Sequence, residues 1–573
     1  MQSNWRILEP GYDEINRLSQ ALGISSFLAR FLINRKILDP IDAGSFLNPQ
    51  ISDLGDPFLF KDMGKAVQRI KKAISKKEKI LIYGDYDVDG VTGCAVLMRT
   101  LKAMGVVKVD CYIPHRVDEG YGISSQGVKF AADTGVNVVI TVDCGITNAS
   151  QVEDLNRQGI DVIITDHHEP AAELLPQSAH CLLNPLCPAE SYPDKNLSGV
   201  GVAFKLAQAL GGDCFQTEDM LDLVALGTVA DVCLLRGENR ILVKHGLSRI
   251  GETKNVGIKA LLEVAQLNKR IISVTDVGFI LGPRINAMGR LDSAEMALKL
   301  FLTDSLTEAL GIARTLDTMN RKRQEIELEI YNGAVNRIER EINFKHEQVI
   351  VLGDQSWHQG VLGIVASKLA ERYSRPVILF SAKDKIASGS GRTNLENVNL
   401  FKVIDRCSHL FKSYGGHKSA CGIKMDKDLL GEFRARFNQA VKGIFETTTF
   451  IPTIYIDAEF PFDAIDSAWF EEFNKLAPFG EGNPWPTFVS RKVHIKNIVP
   501  SRNGLNKRLP AVWVSDGRAT YEATGKDFVN WATGLAERRE FDLVYQLKFF
   551  TDRKGDRHIS LKVEDFNPLN SQH

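Results

Sequence analysis

Between Ile80 and Thr165 the chain alternates short apolar runs rich in Val and Ile with stretches of helical length, which narrows the possible folds more than any other feature. The runs are Ile80–Tyr83, Val107–Tyr112, Val136–Val142 and Asp161–Thr165, with helices expected from Val91 to about Met104, near Ser124–Thr134 and near Thr147–Gln158. Strands that are apolar throughout, separated by helices of about 10 to 15 residues, are the signature of a parallel sheet covered on both faces. The fold class expected is α/β, an open, doubly wound parallel sheet. In such sheets ligands bind beyond the carboxyl ends of the strands.

Three of the runs end in acid. Ile80–Tyr83 leads into Gly84 and then Asp85-Tyr86-Asp87-Val88-Asp89-Gly90; Val136–Val142 leads into Asp143-Cys144-Gly145; Asp161–Thr165 leads into Asp166-His167-His168. A single Asp at a strand end often does no more than cap the next helix. Three in succession project onto one edge, where crowded carboxylates repel unless a cation neutralises them. A fourth candidate is Asp231, in the apolar stretch Leu226-Gly227-Thr228-Val229-Ala230-Asp231, where an unpaired carboxylate is costly to bury.

Carboxylate oxygens suit Mg²⁺ or Mn²⁺, and an added imidazole moves the preference toward Mn²⁺. Five or six such ligands are enough for two ions, and two ions about 3.5–4 Å apart are a standard device for phosphate-ester hydrolysis. Asp143 is placed to bridge them, whereas Cys144, a soft donor, does not suit an oxygen-rich site.

Composition sets the frame. A chain of 573 residues is too long for one core, so three or four domains are expected. Its 44% hydrophobic and 25% charged residues are those of a soluble globular protein, and no window is apolar enough to span a membrane. The N-terminus has no secretory signature. Nine scattered cysteines without a C-x-x-C pair argue against a disulfide framework or a zinc ribbon, and most read as reduced core residues. The expected location is cytoplasmic. A net charge of −1 decides nothing about nucleic acid, but residues 491–573 carry fifteen Lys and Arg against ten Asp and Glu.

Taken together, the Asp-Tyr-Asp-Val-Asp-Gly, Asp-Cys-Gly, Asp-His-His and Gly-Thr-Val-Ala-Asp motifs resemble those of the DHH phosphoesterase superfamily, and more narrowly its RecJ family of single-strand-specific exonucleases. The resemblance runs from about residue 45 to the end. It implies that Asp87, Asp89, Asp143, His167 and Asp231 hold two divalent ions, Mn²⁺ or Mg²⁺. It also places Asp85 and His168 in the same motifs, either behind the ligands or facing the substrate, with Asp85 a further candidate ligand. Some distant relatives have a His four residues before the first ligand Asp; this chain has Tyr83 there, leaving Asp85 or water to complete that coordination.

The resemblance gives meaning to residues that are otherwise unremarkable. Arg116 would hold a terminal 5′ phosphate through its guanidinium fork. Arg284 and Arg290, among the turn residues of Gly282–Leu291, would contact the phosphate backbone, loop-to-helix packing being the alternative. Residues 305–342 read as one long amphipathic helix or two, with a solvated charged face. A second α/β unit follows, with glycine-rich turns at Gly389–Thr393 and Gly415–Lys418 that can cradle phosphate. In the DHH-associated domain that this unit resembles, His358, Ser390, Arg392 and His417 would face the scissile nucleotide; Thr393 stands where Ser is expected.

Short strands between Thr453 and Val563 suit a barrel of the OB type, which binds single strands through a basic groove and stacked aromatics. Trp485, Trp513, Tyr521, Tyr545, Phe549 and Phe550 are available for stacking or for the core, and Lys507, Arg508, Arg553, Lys554 and Arg557 for backbone contacts or solvation. The expected domains are a helical lead-in (1–50), a DHH catalytic α/β domain (51–300), a connecting helix (301–345), a DHH-associated α/β domain (346–448) and an OB-like nucleic-acid-binding domain (449–573).

The function implied is 5′→3′ hydrolysis of single-stranded DNA to mononucleotides, in recombination and repair. The partners implied are single-stranded DNA, a single-strand-binding protein and a helicase, with the chain acting as a monomer away from membranes. A phosphodiesterase for short oligonucleotides or cyclic dinucleotides would not need the C-terminal module. A non-catalytic DNA-binding relative would lack several ligands that this chain keeps.

Overall fold

The alternating segment closes into a five-stranded sheet in which every pairing is parallel. Its strands are β1 (Ile80–Gly84), β2 (Val109–Tyr112), β3 (Val138–Val142), β4 (Asp161–Thr165) and β5 (Cys181–Leu183), in the spatial order β2-β1-β3-β4-β5. Every residue of β1 and β3 is buried, the reason both read as unbroken apolar runs. β5, three residues long, is too short for its periodicity to announce it. The order reverses direction between β1 and β3, and ligands of doubly wound sheets sit at that switch point. Asp85 and Asp143 follow directly from these two strands.

Helix α1 (Val88–Ala103) begins earlier than its periodicity suggests, so Asp89 lies inside its first turn. The helix is buried almost all round, which explains why its sequence lacks a polar stripe. It packs against α2 (Gly199–Gly211) and α3 (Leu221–Ala230).

This is a computed structural model that describes residues 3–212, 215–267, 271–383, 385–395, 397–445, 453–465, 467–499, 510–534, 540–551 and 557–568. The chain forms two compact units, one of residues 54–233 and 241–450, the other of residues 1–53, 234–240 and 451–573.

Within the first unit, α4 (Gly282–Leu291) packs on α5 (Leu306–Glu341), a single helix of 36 residues. Residues 282–291, expected as turns, are therefore helical. Pro283 sits in the first turn, where its missing N–H costs nothing. Beyond α5 lies a mixed sheet in the order β9-β10-β8-β7-β6, formed by β6 (Ile350–Asp354), β7 (Val377–Lys383), β8 (Ile386–Arg392), β9 (Phe411–Gly416) and β10 (Ala420–Asp426). Only the β6–β7 pairing is parallel. Gly389-Ser390-Gly391-Arg392, expected as a phosphate-cradling turn, is the end of strand β8. Gly389 is required there because a Cβ would run into the Phe380 ring. Its amide therefore belongs to a ladder and not to a phosphate loop.

In the second unit the strands at 487–499, 511–515, 520–524, 557–568 and 541–551 pair in that order, and the last pairs again with the first, closing a five-stranded barrel. The N-terminal helices Tyr12–Leu22, Ser26–Asn34 and Pro40–Leu47 share its core, where Phe31 and Leu32 join Phe460, Phe488 and Tyr545. Strand Asn4–Ile7 pairs in parallel with Thr453–Ile456. The segment read as a separate lead-in thus belongs to the barrel's unit. Tyr545 is fully buried and Trp485, Tyr521 and Phe549 pack on the core, whereas Trp513 is 37% exposed. Lys507, Arg508, Arg553, Lys554 and the side chains of Phe550 and Arg557 lie outside the described residues. Among the described residues no helix is long and apolar enough to cross a membrane.

Candidate metal centre

Asp85, Asp87, Asp89, Asp143, His167 and Asp231 converge at the switch point. Asp87 caps α1: its Oδ1 accepts from the amides of Asp89 at 2.9 Å and Gly90 at 3.1 Å, leaving the second oxygen free. Capping the helix is therefore compatible with a place for Asp87 among the candidate metal ligands. Asp89, fully buried, accepts from the amides of Gly199 at 2.7 Å and Val200 at 2.8 Å, at the positive end of α2. Asp143 leaves β3 with a left-handed φ of 62°, a strained conformation that persists only where its surroundings impose it. Residue 199 must be glycine, because a Cβ there would lie 2.6 Å from the Asp143 Cβ. Asp231 terminates α3.

The donor atoms fall into overlapping groups. Asp85, Asp87 and Asp143 form one; Asp89, His167, Asp231 and Cys233 form another; in each, the candidate atoms lie within 4.8 Å of one another. His167 joins the groups, its Nε2 lying 3.1 Å from Asp143 Oδ1, 3.5 Å from Asp231 Oδ2 and 3.8 Å from Asp89 Oδ2. Asp85 Oδ1, Asp143 Oδ1 and His167 Nε2 are buried without a hydrogen-bond partner. Buried polar atoms are rarely left so, and a divalent cation satisfies all three.

Electrostatics point the same way. Burial, then Asp87, pushes Asp85 well above the carboxylate range; burial and neighbouring carboxylates do the same to Asp89 and Asp143. Asp231 rises to about 6 through burial and Asp87. Burial, then His168, lowers His167 to about 4, so its imidazole is neutral and offers a lone pair. Four carboxylates that resist ionisation, beside a neutral imidazole, are a site whose charge balance requires cations. Hard oxygens with one nitrogen fit Mn²⁺ or Mg²⁺.

Asp166 holds the neighbouring backbone, and His168 borders the candidate ligands, its Nδ1 lying 3.8 Å from Asp143 Oδ1 in one group with Asp143 and His167. Asp166 accepts from the amides of Ile146, His167 and His168 and from His168 Nδ1 at 2.8 Å. Burial works against its charge, but the two histidines outweigh burial and hold it below the usual range. For His168, burial works against protonation, and the Asp166 hydrogen bond and charge overcome it to raise the ring to about 9. His168 is thus a cation at neutral pH, steadied by Tyr121 Oη at 2.9 Å.

Facing Asp87 and Asp231 across a cavity of about 570 Å³ are Arg116, Arg290, Arg392 and His417. The Arg116 guanidinium lies 4.8 Å from the Tyr86 ring centroid. Burial, then repulsion from Arg116, Arg323 and Arg392, lowers Arg290 to about 9. Mutually repelling guanidiniums beside a carboxylate–metal site make a receptor for phosphate oxygens. Asn286, between them on α4, accepts from the Val88 amide at 3.1 Å and ties that helix to the metal loop.

Arg284, His358 and Ser390 do not line this cavity. Arg284 pairs with Asp317 at 3.0 Å and donates to the Ile280 carbonyl. His358 caps α6 (Gln359–Tyr373), accepting from the Gly360 amide at 3.2 Å. Ser390 lies behind Arg392, whose Nη1 is 3.4 Å from its hydroxyl. Asp166, Tyr121, Asn286 and Cys233 were not singled out as site residues by sequence reasoning. Asp166 and Asn286 lie within motifs already noted, but a residue that holds another residue leaves no chemical signature of its own.

The parallel sheet, its carboxylate–imidazole cluster and the arginine wall beyond define a metal-dependent phosphoesterase of the DHH type. Residues 79–228 match the DHH family N-terminal domain, 346–443 the DHHA1 domain and 456–565 the RecJ OB domain. The single-stranded-DNA-specific exonuclease RecJ of Dickeya dadantii is 34% identical over 546 residues, covering 91% of this chain and 93% of that protein. The Bacillus subtilis RecJ is 36% identical over 505 residues, covering 88% of this chain and 63% of its own length. The crystal structure of Thermus thermophilus RecJ in complex with Mn²⁺ superposes with a TM-score of 0.82 at 29% identity, over 100% of this chain and 80% of that one. A second structure of that protein contains Mg²⁺, with a TM-score of 0.75 at 27% identity, over 99% of this chain and 79% of that one. The chain belongs to the RecJ family of single-stranded-DNA-specific exonucleases.

Proposed function

We propose that the chain hydrolyses single-stranded DNA from the 5′ end, releasing mononucleotides, with two divalent ions held by Asp85, Asp87, Asp89, Asp143, His167 and Asp231. The observation that carries this reading is the meeting, in one cavity of about 570 Å³, of Asp87 and Asp231 from the carboxylate cluster with Arg116, Arg290 and Arg392. The ions, when bound, neutralise charge on the phosphate oxygens and lower the pKa of the attacking water.

The protein's own groups do the rest. Arg290 and Arg392 bind the non-bridging oxygens of the scissile phosphate, relieving their mutual repulsion. Arg116, stacked near Tyr86, receives a terminal 5′ phosphate, which sets the polarity. His168 presents a positive charge to the reacting phosphate, and Asp166 and Tyr121 keep that ring oriented and protonated. His417, exposed at the cavity wall, contacts the nucleotide. The barrel, with Trp513 at its surface, supplies a strand-binding module.

We place the protein in the cytoplasm as a monomer, in recombination and repair, on strands supplied by a helicase and a single-strand-binding protein. The described cysteines, all free thiols, fit a reducing compartment. The test is digestion of 5′- and 3′-labelled single and double strands with Mn²⁺ or Mg²⁺, beside Asp143→Ala. Release of the 5′ label first, from single strands only and not by the variant, is expected; 3′-first release or an active variant overturns the reading.

A further inference from the structure

Helix α3 ends beside the metal centre in a conformation that its sequence does not favour. Beyond the cap residue Asp231, the Val232 amide donates to the Val229 carbonyl at 3.2 Å and the Cys233 amide to the Thr228 carbonyl at 3.2 Å. This pair of bonds is the Schellman arrangement, in which the residue after the cap is left-handed and is usually Gly, sometimes Asn. Val232 occupies that position with a φ of 59°, a genuine outlier for a β-branched residue. The other described non-glycine residues with positive φ are Lys, Asp, Gln and Ser, so Val232 is the one β-branched residue among them. Its side chain gains little from the fold in return, because Val232 is 64% exposed. Glycine would serve the helix end better, and strain of this kind clusters where function uses it.

The exposed side chain lines the cavity of about 570 Å³ that holds Asp87 and Asp231 opposite Arg116, Arg290 and Arg392. Val232 follows a candidate metal ligand directly, which puts its isopropyl group close to the place given above to the scissile phosphate. The other aliphatic side chains lining the cavity are alanines. A nucleotide has two kinds of apolar surface, the faces of its base and the carbons of its sugar. Base faces call for flat rings, a part open to His417 and not to an isopropyl group. The sugar is bonded directly to the phosphate and presents C–H groups that a branched aliphatic chain can cover. We propose that Val232 packs against the deoxyribose joined to the scissile phosphate and excludes a 2′-hydroxyl from it. A ribose hydroxyl pressed against the isopropyl group gives up its hydrogen bonds to water with none in exchange. The inference rests on the exonuclease reading and adds to it a selection for the sugar, separate from the polarity set at Arg116. Apolar contacts reject an added hydroxyl by about 10²-fold at most, which bounds the effect.

The test measures kcat/KM of the full chain with Mn²⁺ on a 5′-phosphorylated single strand, either all deoxy or carrying one ribonucleotide at the first or the second position. Wild type should prefer the all-deoxy strand over one of the two substituted strands by about tenfold or more. Val232→Gly and Val232→Asn, both suited to the left-handed backbone, should narrow that ratio by about fivefold or more. Val232→Leu, which keeps a branched apolar chain, should hold the ratio within about twofold. Val232→Gly should also melt higher than wild type, by about 1–3 °C, as the strain is released. Absence of a wild-type preference at both positions, a ratio unchanged in Val232→Gly and Val232→Asn, or a ratio lost as far in Val232→Leu overturns the sugar contact alone. So does a Val232→Gly variant that melts lower, since the valine would then be serving the fold. Failure of the wild-type chain to cleave the all-deoxy strand from its 5′ end overturns the exonuclease reading with it.

Discussion

His167 Nε2 lies 3.1 Å from Asp143 Oδ1, and neither atom has a hydrogen-bond partner. Two lone-pair donors at that separation match neighbouring ligands of one octahedral ion, whose edge is about 3 Å for bonds near 2.1 Å. The rest of the site follows from this pair, because Asp143 reaches toward Asp85 and Asp87, and His167 toward Asp89 and Asp231.

Replacing Asp143 by Asn should reduce turnover about 10³-fold or more, since it removes a ligand placed between both ion positions. In chelator the same variant should melt no lower than wild type, and up to about 4 °C higher for each kcal/mol of repulsion relieved. Calorimetry beside a nuclease assay checks both; a variant that melts lower in chelator contradicts the electrostatic account.

Metal-free stability should fall as pH rises. Asp85, Asp89 and Asp143 have raised folded pKa values and Asp231 reaches about 6. The folded chain therefore holds these protons more tightly than the unfolded one. Their contribution is fully present below the ordinary carboxylate pKa of about 4 and is lost as pH climbs through the raised values. His167, lowered to about 4, works the other way up to its unfolded value of 6.5, and Asp166, held below the usual range, does so at lower pH, but they are two groups against the four carboxylates and His168, raised to about 9. The Tm gained from Mn²⁺ should accordingly be larger at pH 8 than at pH 5.5, with proton release on binding. Differential scanning calorimetry at the two pH values is the check; an equal gain would contradict it.

The open α/β domain was legible because both faces of its sheet are covered, which leaves unbroken apolar strands such as Ile80–Gly84. The convergence of Asp85, Asp87, Asp143 and His167 was legible because doubly wound topology carries strand ends to one edge. What remained hidden depended on tertiary partners. The Gly282–Leu291 segment reads as turn because of its glycines and proline, yet packing on the long helix makes it helical. Gly389 and Gly391 read as a phosphate loop, but their missing side chains make room for Phe380 and Cys421 on a strand. Arg284 and Arg290 look equivalent in sequence; only the structure gives Arg284 to Asp317 and Arg290 to the cavity.

Removing the arginine wall should weaken substrate binding more than it disturbs the fold. Arg290→Ala and Arg392→Ala are each expected to lower kcat/KM about 10–100-fold, the worth of a charge-assisted hydrogen bond of roughly 1.5–3 kcal/mol. Arg116→Ala should also erase any preference for 5′-phosphorylated over 5′-hydroxyl ends. Steady-state kinetics on the two substrates checks this, and a retained preference in Arg116→Ala would remove that residue from the polarity argument.

His168 should set a basic limit to activity. Its ring, raised to about 9 against burial by Asp166, supplies positive charge that disappears as pH rises through that value. In Asp166→Asn the support is lost, so the basic limb of the kcat profile should move to lower pH while Mn²⁺ still binds. An unmoved limb would show that His168 is not the group being titrated.

The donor set at the switch point of the first sheet calls for two divalent ions. Mn²⁺ soaked into crystals and located by its anomalous scattering tests this directly. The account predicts two peaks about 3.5–4 Å apart, one among Asp85, Asp87 and Asp143, the other among Asp89, His167 and Asp231. A single peak in the presence of saturating Mn²⁺, or peaks away from these side chains, would contradict it.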